Sequence, residues 1–199
     1  MWYPIDGSDI PSSAVAEGSN VAIAIKPEDA PPATELNDWI QSEKDLDIDE
    51  TLTLGFAPFS LDQAGKHRTI VLDAMRYTDK GNVRWGVGGR LTLHVWSEND
   101  DIKGAVALVA AQASLNMVYT RSTFQVLGYN SPDLVSKLPG FDEMSVSNYT
   151  VLMQAIDVCK NAVMGAPAED LRPQPIAVSL PAPPPGGKPR HWGFHIHHK

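Results

Sequence analysis

Four side chains of one short stretch have the types needed to hold an anion or move a proton: Arg84, Arg90, Thr92 and His94. All four fall at even positions of Val83–Trp96, with Gly86 and Gly88 between them, while Val83, Trp85, Val87, Leu91, Leu93 and Val95 fall at odd positions. Alternation of period 2 over fourteen residues predicts a central strand, so the four polar side chains share one face. Guanidinium forks match carboxylate and phosphate oxygens, and an imidazole titrates near neutrality. Glycine inside a strand marks a bulge or the close approach of another backbone or a ligand. This face is therefore a candidate anion-binding or partner-binding surface. The competing reading is a solvated face whose arginines pair with acids such as Asp73 or Asp79.

A second group of such residues closes the chain. His195, His197 and His198 stand beside Trp192 and Phe194, after a proline-rich run from Pro181 to Pro189. Neutral imidazole suits zinc, copper and nickel, but a working metal site needs ligands fixed by outer hydrogen bonds. A segment led by polyproline does not supply that rigidity, so no metal is assigned. The run from Pro181 to Pro189 should be extended, carrying its end about 25–30 Å at ~3.1 Å per residue. Stiff segments lose little entropy on docking, and Trp192 and Phe194 are the residue types that anchor interfaces. Below about pH 6 the histidines would protonate and disfavour an apolar docking site. These residues read as a partner-binding tail.

Other candidates fail on spacing. The chain has no phosphate-binding glycine loop, no H-E-x-x-H, no G-x-S-x-G and no C-x-x-C. Asp45, Asp47 and Asp49 have the opening spacing of a calcium loop, but Glu50 and Phe56 occupy the places of its glycine and its glutamate. Gly86-Val87-Gly88-Gly89 lies within a strand pattern and Leu91 stands where a dinucleotide turn needs its last glycine. Asn148-Tyr149-Thr150 is a glycosylation sequence placed in an expected helix. Cys159 lies on an apolar helical stripe and reads as a small buried hydrophobe. No catalytic residue and no cofactor is assigned.

Composition narrows the partners. A chain of 199 residues is one domain with tails, and its net charge of -8 argues against nucleic acid or an anionic membrane as a bulk partner. One cysteine allows no internal disulfide and fits a reducing compartment. Met1–Asp6 lacks the features of a secretory signal, and the longest uncharged run, 104–120, is short and holds Gln112, Ser114 and Asn116. The expectation is a cytoplasmic or otherwise intracellular, soluble protein.

The elements that must position these residues follow from pattern. Residues 1–20 read as an N-terminal arm, Val21–Ile25 as a short strand stopped by Pro27, and Glu35–Ser42 as a short helix capped by Thr34. Glu43–Glu50 reads as an acidic turn and Thr51–Phe56 as a strand. Thr69–Tyr77 and Val83–Trp96 form an antiparallel hairpin around Asp79-Lys80-Gly81-Asn82. Residues 105–114 fit helix or strand, and Leu115–Leu127 reads as a strand pairing with Val83–Trp96. Leu152, Ala155, Ile156, Cys159 and Val163 form one stripe of a helix over Ser147–Met164, ended by Gly165. The prediction is an α+β domain over 21–166, mainly antiparallel sheet with one long C-terminal helix packed on it, followed by a proline- and histidine-rich tail over 167–199. The functional expectation is a non-enzymatic binding or assembly protein that engages a protein partner or further copies of itself. Two alternatives stand beside it: an enzyme with an anion site on the Arg84/Arg90/His94 face, and a membrane-active β-hairpin protein.

Overall fold

In the computed structural model, residues 2–5, 13–16, 22–46, 66–97, 118–138, 149–179 and 194–196 are described. The strands are β1 (Trp2–Pro4), β2 (Ser13–Ala16), β3 (Ala22–Ala24), β4 (Trp39–Leu46), β5 (Lys66–Lys80), β6 (Val83–Ser97), β7 (Val118–Leu127), β8 (Gln174–Ser179) and β9 (Phe194–Ile196). The helices are α1 (Pro132–Lys137) and α2 (Tyr149–Gly165), with 3-10 turns at Pro27–Asp29, Ala33–Glu35 and Ala168–Asp170. The protein is mostly antiparallel sheet with few helices. Among the described residues α2 is the one helix of seven residues or more.

The β5–β6 hairpin is the frame. A two-residue turn at Gly81-Asn82, with Gly81 at φ 63°, pairs Lys80 with Val83 and runs the ladder to Lys66 and Ser97. On its other edge β6 is shared, with β8 pairing Val83–Gly86 and β7 pairing Gly88–Ser97. The six-stranded sheet has the order β1-β8-β6-β5-β4, with β7 beside β6. A separate three-stranded sheet, β3-β2-β9, joins segments from both ends of the chain.

Two glycines of β6 make tight contacts possible. A Cβ on Gly88 would lie 2.3 Å from Met75 Cβ and 2.5 Å from the Ala74 carbonyl oxygen on β5. A Cβ on Gly89 would lie 2.5 Å from the Phe124 ring and 3.4 Å from Cys159 Sγ, so Gly89 is where β7 and α2 close on the sheet. Helix α2 buries Ala155, Ile156, Cys159 and Val163, and Cys159 and Val163 join a core with Val87, Leu134 and Leu171.

The structure departs from the sequence reading in several places: residues 43–46, read as the start of an acidic turn, continue β4 in its ladder to β5, and Ser13–Ala16, read as arm, is β2. The segment read as the helix Glu35–Ser42 forms only the turn Ala33–Glu35 and then enters β4. Trp39 and Ile40 favour strands, and the eight-pair ladder to β5 outweighs a helix too short to stand alone. The helix α2 is not C-terminal, because β8 follows it and lies inside the sheet between β1 and β6. Gln174–Ser179, read as tail, is thus an inner strand despite Pro175. The β6–β8 register shifts at Arg84/Trp85, so Pro175 sits at an irregularity, where a missing N–H is tolerated. Likewise Trp2–Pro4, read as arm, is a strand of the main sheet. The expected strand Thr51–Phe56, residues 105–114 and Ser147 lie outside the described residues, as do the side chain of Leu152 and the aspartates 47 and 49.

Candidate functional site

The face read from the alternation of Val83–Trp96 is buried. Arg90 is 0% exposed, Thr92 4% and His94 3%. This corrects the expectation of a solvated face, while the pairing offered with it is present. Counting back from the turn, Arg90 lies opposite Asp73 and Arg84 opposite Asp79. Arg90 Nε donates to Asp73 Oδ1 at 2.6 Å and Nη2 donates to Oδ2 at 2.8 Å, a bidentate fork. Nη2 also donates to the Ile176 carbonyl at 2.7 Å, and Nη1 donates to the Ile5 carbonyl. The Ile176 carbonyl comes from the β8 irregularity, since Ile176 has no register partner on β6. One guanidinium therefore ties β6 to β5, to β8 and to the residue after β1.

Arg84 is held differently. Its Nε and Nη2 donate to Asp79 Oδ1 and Oδ2 at 2.7 and 3.0 Å. Its guanidinium carbon lies 4.4 Å from the centroid of a Trp2 ring and 4.2 Å from that of Tyr77. Such contacts are worth about 0.5–1 kcal/mol at exposed sites and more when desolvated. From the opposite end of the sheet order, Lys44 Nζ lies 4.8 Å from the Tyr3 ring centroid, so a cation of β4 reaches β1. His94 Nδ1 and Thr69 Oγ1 are 3.1 Å apart in a buried hydrogen bond. Thr92 is buried beside them in the ladder, opposite Val71.

A hollow of about 100 Å³ opens over this face, with Asp73, Met75, Ile176 and Tyr77 among its walls. A larger groove of about 750 Å³, bordered by Phe124, Tyr129 and Arg172, contains none of the sequence-derived site residues. Cys159 is buried, and burial pushes its thiol up to about 12, which holds it protonated and unreactive at neutral pH. Among the described residues no group of three metal-ligating side chains gathers, and no helix is long and apolar enough to cross a membrane.

Of the tail residues, Phe194 and His195 are in β9, opposite Ala16 and Val15 of β2. Trp192, His197 and His198 lie outside the described residues. The structure thus brings Arg84, Arg90, Thr92 and His94 onto one face and places the tail strand in the other sheet. Sequence reasoning did not find Trp2, Tyr3, Lys44, Tyr77 or the carbonyls of Ile5 and Ile176 as members of the site. Tyr77 alone was within reach, because the hairpin register sets it opposite Gly86, next to Arg84. No protein-family model, curated protein or solved structure matches the chain.

Proposed function

We propose that the protein is a non-enzymatic binding and assembly protein that engages a protein partner or further copies of itself through its terminal segments. The observation that carries this reading is the small sheet. Strands from both ends of the chain, β2 and β9, pair there, and β9 and β3 each leave one edge without a partner strand among the described residues. Open strand edges are templates for adding another strand, and alternating side chains then set specificity. Phe194 and His195 belong to β9, and Trp192, His197 and His198 flank that strand in the sequence. On the main sheet, by contrast, both arginine forks already hold carboxylates, which speaks against the anion-site enzyme reading.

The test is sedimentation velocity across a concentration series for wild type, Trp192→Ala and Phe194→Ala. The reading expects a concentration-dependent shift to larger species in wild type that the two substitutions weaken. Identical profiles for all three proteins would remove the tail from any association.

A further inference from the structure

We propose that the groove bordered by Phe124, Tyr129 and Arg172 is a binding site for a small amphipathic carboxylate, a molecule with an aromatic or branched apolar body and a single carboxylate. The proposal goes beyond the assembly reading and does not depend on it.

A close crossing of two distant segments builds the groove. Strand β7 ends at Leu127, and Gly128 turns the chain at φ 73°. A Cβ on Gly128 would lie 2.5 Å from the Arg172 carbonyl oxygen, so glycine is needed for both the turn and the approach. Arg172 N–H donates to the Gly128 carbonyl at 2.7 Å, and Tyr129 pairs with Leu171 in an antiparallel bridge. The crossing thus places Tyr129 and Arg172 on one groove. Phe124, Val126, Tyr129 and Leu138 pack against the core that holds Cys159 and Val163. Each stays half-buried, so part of each is left to the groove. The volume, about 750 Å³, falls within the ~300–1,000 Å³ of small-molecule pockets.

The charge on this groove is an open guanidinium fork. Arg172 is exposed, yet its Nη1 is tied back, donating to the Leu171 carbonyl at 3.0 Å and to the Glu169 carbonyl. Its Nε and Nη2 have no acceptor among the described residues. In Arg84 and Arg90 the same two atoms grip the carboxylates of Asp79 and Asp73. Those forks are filled by the chain itself, whereas the fork of Arg172 is held in place and vacant. Its planar donors match the two oxygens of a carboxylate. Asp170 also lines the groove, and no ion pair joins it to Arg172. Its negative charge opposes a second anionic group on the ligand, which narrows the fit to one carboxylate. The half-buried rings and aliphatic side chains beside the fork then take the apolar body.

The experiment titrates the isotope-labelled full chain with phenylacetate and follows its amide signals by NMR. Two further probes divide the ligand: phenylacetamide keeps the ring without the charge, and acetate keeps the charge without the ring. The expected result is a saturable shift of the Gly128, Tyr129 and Arg172 amides and of the Arg172 Nε–H with phenylacetate. Phenylacetamide and acetate should each bind about tenfold more weakly or worse, and Arg172→Gln should weaken phenylacetate to the same extent. Asp170→Asn leaves Arg172 and its backbone ties in place and should tighten phenylacetate by about two- to fivefold. No saturable shift at millimolar phenylacetate would overturn the proposal. So would equal binding of phenylacetamide, or wild-type affinity in Arg172→Gln. Unchanged or weaker binding in Asp170→Asn would overturn the assignment of a single carboxylate to this groove.

Discussion

Replacing Asp73 by Ala should be among the most damaging single changes in the protein. Arg90 has no exposed side-chain surface and Asp73 only 10%, and the pair is held by two short N–H donations. Removing the carboxylate takes the bidentate counter-charge from a buried guanidinium that still donates to the Ile5 and Ile176 carbonyls. Stranding one partner of a buried ion pair typically costs about 3–5 kcal/mol. Domains of this kind are stable by about 5–15 kcal/mol, so the loss is a large fraction of the whole. With a urea slope near 2 kcal/mol/M, the unfolding midpoint should fall by about 1.5–2.5 M. Arg90→Met should also be damaging, because the Ile5 and Ile176 carbonyls then lose a donor. The double variant Asp73→Leu/Arg90→Met should cost less than the two single changes added together, since it leaves no unpaired charge. Equilibrium urea unfolding followed by circular dichroism reads all four proteins. A loss below about 1 kcal/mol for Asp73→Ala, or additivity within ~0.5 kcal/mol, would refute the ion pair as the tie between β5, β6, β8 and the segment after β1.

Two further outcomes follow from the same packing. Gly88→Ala should destabilise by about 1–3 kcal/mol in thermal or urea melts, even though alanine restricts the unfolded chain, because its Cβ meets the backbone of Met75 and Ala74; a neutral result would show that β5 can yield. Cys159 should resist a thiol reagent at pH 8 in the native protein and react once in denaturant. Its thiol is raised from 9.0 to about 12 in the fold, so above pH 9 the unfolded chain alone loses the proton and stability should decline toward pH 12, a decline that Cys159→Ala should reduce.

Much of the frame was legible because hairpin chemistry is local. Gly81-Asn82 sets the register, and counting from it places Asp73 opposite Arg90 and Asp79 opposite Arg84. The alternation of Val83–Trp96 correctly marks the central strand, and the glycine spacing correctly marks close approach. What alternation cannot show is that the polar face is covered, because the cover comes from distant segments: Ile5, Lys44 and Ile176 are joined to it only by the fold. Pro173 and Pro175 also disguised β8, since proline content argues against an inner strand unless an irregularity excuses the missing N–H. The tail was legible in residue type alone. The pairing of β9 with β2 depends on contacts between opposite ends of the chain, which no local pattern encodes.

The central claim is that the terminal segments mediate association while the main sheet stands without the tail. Its most direct test is molar mass by light scattering, with a thermal melt, on the full chain and on a chain lacking residues 181–199. The claim expects the full chain to exceed the 21.6 kDa monomer in a concentration-dependent way. It expects the shortened chain to melt cooperatively and to approach the monomer mass. Equal masses for both chains, or a shortened chain that no longer folds, would contradict it.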